Sequence, residues 1–128
     1  MYELLKKSAR VLVVDDNRAD ATALGCLLSA AGYEVQTCFD PRDALATAGR
    51  FNPDACVLEI NMPGMDGYEL ARRLRQNAPN HPPILATVTE CEGEDHLDRA
   101  AAAGFDLHFS KPAVPAEVTE QLGVCMCR

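Results

Sequence analysis

The chain has 128 residues, of which 48% are apolar and 24% charged, so it is globular, large enough for one hydrophobic core and too short for two ordinary domains. The net charge of −7 argues against a nucleic-acid surface, because phosphate backbones attract clusters of Lys and Arg. Apolar runs are too short for a membrane span or a signal peptide, so we expect a cytoplasmic protein that does not bind membranes.

The first half of the chain alternates predicted strands with predicted helices. The valine-rich run 10–14 is typical of a strand that is buried on both faces. Asn17 then predicts a helix N-cap, with Asp20 three positions later, and Gly32 predicts the end of that helix. A second strand is predicted over residues 34–38.

The remaining elements follow the same alternation. Asp40 and Pro41 predict the start of a second helix, which we expect to end near Gly49. Asp66 predicts the cap of a third helix, with Glu69 at its third position. The other predicted elements are a strand over 54–60, a loop over 61–65, a strand over 84–88, a helix over 93–103, a strand over 107–109 and a last helix that begins at Pro115.

Five strands alternating with five helices predict an α/β protein with a doubly wound parallel sheet and helices on both faces. In such folds, ligands bind at the carboxyl ends of the strands. Polar residues follow four of the predicted strands at that end, and we expect them to surround one pocket. They are Asp15 and Asp16 after the first strand, Glu59 at the end of the third, Thr89 after the fourth and Lys111 after the fifth.

The motifs around these positions resemble the receiver domain of two-component response regulators. They are Val11-Leu12-Val13-Val14-Asp15-Asp16-Asn17, Val57-Leu58-Glu59-Ile60-Asn61-Met62-Pro63-Gly64-Met65-Asp66-Gly67, Thr89 and Ser110-Lys111-Pro112. The resemblance covers Arg10 to about Leu122. It implies a single receiver-like domain over residues 1–128, with a (βα)5 flavodoxin-like fold and the strand order 2-1-3-4-5.

The resemblance also implies a role for each residue at the predicted pocket. In the family, acidic residues hold a magnesium ion, and an aspartate accepts a phosphoryl group from a histidine kinase. Asp16 is similar to a direct metal ligand and Asp15 to one that acts through water, while Asn61 would offer its backbone carbonyl. Lys111 would neutralise the phosphoryl charge, and its bond to Pro112 resembles a cis peptide of the family.

Two further residues resemble the switch of the family. Thr89 would donate a hydrogen bond to the phosphoryl oxygens in the active state. His108 occupies the position of the switch aromatic, which turns inward when the threonine moves toward the site. If Glu59 mimics a phosphorylated residue, we expect the His108 ring to face the interior.

Glu59 departs from the family pattern, because it stands where the resemblance places the phosphoacceptor aspartate. Its carboxylate reaches about 1.5 Å further, one C–C bond length. In-line phosphoryl transfer depends on position, so we expect Glu59 not to accept phosphate. Its charge can instead pair with Lys111 and reach Thr89, so we expect magnesium to bind weakly or not at all. A phosphomimic, a fixed scaffold and an engineered substitution all remain open.

The function predicted from these residues is a signalling module that contacts other proteins and is not an enzyme. We expect a sensor histidine kinase, a phosphotransfer protein or an effector to bind the face formed by residues 93–124, and a homodimer stays open. A receiver excised from a larger hybrid histidine kinase or response regulator is an alternative. A phosphatase on a similar fold is disfavoured, because Asp15 and Asp16 are adjacent rather than two positions apart.

The cysteines do not change this interpretation, since no two of them form a Cys-x-x-Cys pair. Cys38 and Cys56 fall in predicted strands, where we expect them to be buried like small hydrophobic residues. Cys125 and Cys127 lie near the end of the chain, where we expect exposed, oxidisable thiols.

Overall fold

The structure, a computed structural model, describes residues 8–126 and forms five strands and five helices there; Cys127 lies outside these residues. In chain order, the elements are β1 (Arg10–Val14), α1 (Arg18–Ala30), β2 (Glu34–Cys38), α2 (Pro41–Phe51), β3 (Ala55–Leu58), α3 (Gly67–Gln76), β4 (Ile84–Thr89), α4 (Glu94–Ala103), β5 (Leu107–Ser110) and α5 (Pro115–Met126). The predicted alternation of strands and helices is confirmed.

All five strands are parallel and lie in the order β2-β1-β3-β4-β5, which confirms the predicted α/β fold. β3 is the middle strand, and β1 lies between β2 and β3, so its Leu12 pairs with Gln36 on one side and Cys56 on the other. The chain reverses direction along the sheet between β1 and β3, so the carboxyl ends of these two strands form the usual ligand position of this architecture.

Each predicted N-cap is confirmed by a hydrogen bond from the first turn of its helix. The Asn17 side chain accepts from the Asp20 N–H at 3.0 Å. Asp40 accepts from the N–H of residue 42 at 2.7 Å, and Asp66 accepts from the Glu69 N–H at 2.9 Å. These bonds satisfy backbone donors that have no partner within the helix, and they fix where each helix begins.

Two predicted elements end two residues away from the expected position, and both differences have a local cause. α2 continues to Phe51 rather than ending near Gly49, because Phe51 is buried and Asn52 then takes the left-handed conformation with φ 51°. β3 ends at Leu58 rather than Ile60. The N–H of Ile60 donates to the Glu59 carboxylate, which replaces the next hydrogen bond of the strand.

The sheet separates two hydrophobic layers. One layer packs strand residues such as Leu12 and Leu58 against α2, α3 and α4. The other packs strand residues such as Val13 and Val57 against α1 and α5. Cys38 and Cys56 are buried as predicted, and burial raises the pKa of the Cys56 thiol above its ordinary value. Within residues 8–126, no helix has the length and apolarity needed to span a membrane.

Candidate functional site

Glu59 is buried immediately after β3, with 7% of its surface exposed. One carboxylate oxygen, Oε1, lies 2.8 Å from Lys111 Nζ. The other, Oε2, accepts hydrogen bonds from the N–H groups of Ile60 at 2.6 Å and Asn61 at 3.2 Å. Both oxygens of the carboxylate are therefore held by donors, and the side chain folds back onto its own loop.

Lys111 joins three carboxylates at the carboxyl edge of the sheet. Besides Glu59, its ammonium group donates to Asp15 Oδ2 at 2.8 Å and to Asp20 Oδ2 at 2.9 Å. The Lys111 side chain is only 15% exposed, and Asp15 is buried. The bond between Lys111 and Pro112 is cis, as the motif predicted.

Thr89, the last residue of β4, connects Glu59 with the following loop. Its side chain is buried, and its hydroxyl is one of the hydrogen-bonding groups that lower the pKa of Glu59. The same oxygen accepts a hydrogen bond from the Cys91 N–H at 3.3 Å. The Asn61 side-chain amide donates to Cys91 Sγ at 3.3 Å, which ties the loop after β3 to the loop after β4.

The two buried carboxylates have opposite pKa shifts although each lies 2.8 Å from Lys111. Burial raises the pKa of Asp15, and hydrogen bonds from Lys111 and the Asn17 N–H offset only part of that effect. Burial also opposes the charge of Glu59, but Lys111, Thr89 and two backbone N–H groups together lower its pKa. Glu59 has more hydrogen-bond donors, and this difference decides the sign.

The pKa of Lys111 is raised above its ordinary value of 10.5. Burial acts to lower it, but hydrogen bonds to Asp15, Glu59 and Asp20 outweigh burial. Lys111 is therefore protonated throughout the physiological pH range. Three carboxylates around one ammonium group leave the cluster with an excess of negative charge.

The structure brings Asp15, Glu59, Thr89 and Lys111 together, as predicted from their positions at strand ends. Asp16 is exposed and makes none of the contacts with Lys111 described above. Sequence reasoning missed Asp20, whose N–H was assigned to the Asn17 cap. Its position in the first turn after β1 was the available signal, because that turn lies at the same edge of the sheet.

His108 does not face the interior, so the orientation expected for a phosphomimic is wrong in this structure. It is exposed on β5, and its ring stands edge-on to His96, with 5.9 Å between ring centroids. His96 and Tyr68 are buried and hydrogen-bonded to each other through Nδ1 and the phenol oxygen. Tyr68 belongs to α3 and His96 to α4, so their hydrogen bond links the two helices. Partial desolvation of the exposed His108 ring and the neighbouring His96 lower the pKa of His108.

The carboxylates as arranged do not fit the magnesium ion that the fold family implies. Asp15, Asp20 and Glu59 converge on the Lys111 ammonium group, which supplies the positive charge that a divalent ion would otherwise bring. Within residues 8–126, no three His, Cys, Asp or Glu side chains are grouped so that they could hold a metal ion.

Solved structures of similar fold include the chemotaxis protein CheY4 of Vibrio cholerae, with a TM-score of 0.87 and 29% identity over 92% of this chain and 98% of that one. A putative response regulator of Chloroflexus aurantiacus has a TM-score of 0.86 and 29% identity over 95% of this chain and 100% of that one. Both likenesses cover the whole fold.

Curated relatives agree with the structural comparison. The response regulator PleD of Caulobacter vibrioides is 38% identical over 82% of this chain and 23% of its own length. The response regulator MprA of Mycolicibacterium vanbaalenii is 36% identical over 93% of this chain and 51% of its own length. The chain thus spans between about a quarter and a half of these relatives. The family model described as "Response regulator receiver domain" matches residues 11–123, and the chain belongs to that family.

Proposed function

We propose that the chain is a receiver module in which Glu59 occupies the phosphoacceptor position, and that it works through protein contacts without accepting a phosphoryl group. The observation that carries this proposal is the engagement of the Glu59 carboxylate. Lys111 lies 2.8 Å from one oxygen, two backbone N–H groups bind the other, and Thr89 adds a further hydrogen bond. Of these groups, Lys111 and Thr89 are the two that the resemblance assigns to the phosphoryl group.

This engagement opposes phosphoryl transfer. A nucleophilic carboxylate must present a lone pair in line with the leaving group, and transfer is sensitive to displacements of about 1 Å. The longer glutamate side chain already changes the position of the oxygens, and their hydrogen bonds hold them where they are. Lys111 also supplies the neutralising charge, so we expect magnesium to bind only weakly.

The receiver family implies interaction with a histidine kinase or phosphotransfer protein, and a receiver domain is not a typical enzyme. We propose that the partner contacts the face formed by residues 93–124. Leu97 on α4 and Val124 on α5 support this position, because they are 48% and 60% exposed. Each offers apolar surface that is removed from water when a partner packs on it.

Of the two natural mechanisms, a fixed scaffold is better supported than a phosphomimic. A phosphomimic would couple the charge of Glu59 to an inward position of the His108 ring. Here Glu59 already engages Lys111 and Thr89, yet His108 is exposed. We propose that the charged site keeps its shape without driving the ring inward.

The test of phosphate acceptance is incubation with acetyl phosphate and magnesium, followed by intact-mass measurement. We expect no mass gain for the natural chain and the gain of one phosphoryl group for Glu59→Asp. Glu92→Asp is the matched control, because it shortens an exposed glutamate away from the site and should change nothing. Stoichiometric phosphorylation of Glu59 in the natural chain would overturn the proposal.

Partner binding separates the scaffold from the phosphomimic. Glu59→Gln removes the charge with little change of shape, so it isolates the electrostatic contribution. If a candidate kinase or phosphotransfer protein binds the natural chain and Glu59→Gln equally, the scaffold mechanism holds. A loss of binding in Glu59→Gln would favour the phosphomimic instead.

A further inference from the structure

A cavity of about 400 Å³ opens between α1 and the segment 111–115, and it extends from the charged site toward the interior. Its floor is formed by valines of the sheet, Val13, Val57 and Val88. Because these side chains are nearly fully buried, the cavity reaches the base of the layer between the sheet and α1 and α5. Its volume lies within the range of small-molecule sites.

The walls of the cavity are apolar. Leu24 and Leu27 of α1 form one wall, and Pro112, Ala113 and Pro115 form the other. Leu27 lines the cavity and is 45% exposed, so the space beside it is not filled by the chain's own side chains. Ala113 contributes only a methyl group opposite α1, and its short side chain leaves the gap open.

The mouth of the cavity is negatively charged. Four lining carboxylates, Asp15, Asp20, Glu59 and Glu90, stand against the single ammonium group of Lys111, which gives a formal charge of −3. The Lys111 ammonium group pairs with only one carboxylate oxygen of each of Asp15, Asp20 and Glu59. Asp20 and Glu90 are exposed, so they can meet a cation that arrives from solvent.

From this combination of an apolar cavity and a charged mouth, we infer that the cavity binds a small organic cation with an apolar body, a primary amine or guanidinium carrying an alkyl chain. The cationic group lies between Asp20 and Glu90, and the chain extends along Leu27 toward Val88. Anionic ligands are repelled by the excess negative charge, and neutral ones gain only the apolar contact. This inference goes beyond the proposed function and does not depend on whether Glu59 accepts phosphate.

The test uses three probes of equal chain length: hexylammonium, 1-hexanol and hexanoate. Each is titrated into the full chain at constant ionic strength, and methyl NMR signals of Leu24, Leu27 and Val88 report binding. We expect saturable binding of hexylammonium at these signals, about fivefold tighter than hexanol, with hexanoate weakest. Equal binding of amine and alcohol, or stronger binding of hexanoate, would overturn the inference.

Two pairs of variants locate the site. Glu90→Gln removes one charge at the mouth and should weaken hexylammonium binding about threefold, whereas Glu92→Gln removes an exposed charge outside the lining and should not. Leu27→Ala removes an exposed apolar wall and should weaken hexylammonium and hexanol alike, whereas Leu97→Ala on α4 is the matched control. Equal effects within either pair would place the binding elsewhere and refute the inference.

Discussion

The carboxyl edge of the sheet and the aromatic cluster of Tyr68, His96 and His108 are stabilised in opposite ways. At the edge, Lys111 holds Asp15, Asp20 and Glu59 together as charged groups. In the aromatic cluster, Tyr68 and His96 pair through a hydrogen bond, and the pKa of His108 beside them is lowered, which favours a neutral ring.

The contrast indicates that the polar and charged groups of each region find their partners within that region. The groups that interact most directly with the Glu59 charge are Lys111, Thr89 and two backbone N–H groups, and all of them lie at the edge. The His108 ring contacts the ring of His96, and His96 is hydrogen-bonded to Tyr68. Two locally satisfied clusters can respond independently, and the variants below test that independence.

The largest expected effect follows from Gly67→Ala, which acts on the backbone that supports the charged edge. A Cβ at Gly67 would collide with the Glu59 carbonyl oxygen and would lie 2.8 Å from Ile60 Cα. Both neighbours are backbone atoms, so the start of α3 must move away from the end of β3. We expect a loss of about 3 kcal/mol in the free energy of unfolding, measured by urea denaturation.

Gly49→Ala is the matched control for that experiment. Nothing lies within 4 Å of a Cβ added at Gly49, which is exposed in α2. Replacing a helical glycine by alanine should stabilise the fold by about 0.5 kcal/mol. If both variants change stability alike, the close contact between α3 and Glu59 does not determine the geometry of the edge.

Lys111→Met tests the charged edge directly and should rank second. It leaves Asp15 and Glu59 buried without their shared cation, so we expect a loss of about 2 to 3 kcal/mol at neutral pH. Combining it with Glu59→Gln should recover part of that loss, because one of the repelling charges is gone. Additive losses in the double variant would contradict the ion-pair explanation.

The raised pKa of Lys111 also predicts how the free energy of unfolding changes at alkaline pH. The pKa of Lys111 is raised on folding, so its stabilisation is complete below its ordinary value of 10.5 and is lost as pH rises above that value. The natural chain should lose stability in that range more steeply than Lys111→Met does. Thermal unfolding across the alkaline range measures the difference, and parallel curves would show that Lys111 does not cause it.

Tyr68→Phe tests the neutral cluster and should have a smaller effect. It removes the hydroxyl that pairs with His96 Nδ1 and leaves a buried ring nitrogen without that partner, at an expected loss of about 1 to 2 kcal/mol. Tyr33→Phe, which removes a partly buried hydrogen bond to the Thr119 carbonyl, is the comparison and should lose less. The independence of the two regions requires that Tyr68→Phe leave the resonances of Lys111 unchanged.

The sequence was sufficient for the fold and for most of the edge because periodicity and caps are local signals. The apolar run of β1 and the Asn17 cap each fix an element without reference to distant residues. Strand ends then place Asp15, Glu59 and Lys111 at one edge as a consequence of parallel topology.

The features that the sequence did not predict depend on side-chain conformation, which the spacing of residues along the chain does not encode. The ion pair of Asp20 with Lys111 joins residues 91 positions apart and depends on how a lysine side chain turns. The His108 ring contacts His96, a residue of α4 whose burial had no sequence signal beyond an ordinary polar face. Contacts of this kind, between side chains that are distant in the sequence, become visible only in the three-dimensional structure.

The smallest expected effect is that of Glu59→Gln on His108, and it tests the independence of the two regions most directly. His108 should titrate below its ordinary value of 6.5, since burial and His96 lower its pKa. If Glu59 does not reach the ring electrostatically, NMR titration midpoints of the natural chain and Glu59→Gln should agree to within about 0.2 pH. Asp106→Asn is the positive control, because the Asp106 charge raises the pKa of His108 and its removal should lower the midpoint. A shift in Glu59→Gln as large as that of the control would show that the regions are coupled, and the phosphomimic would then replace the fixed scaffold.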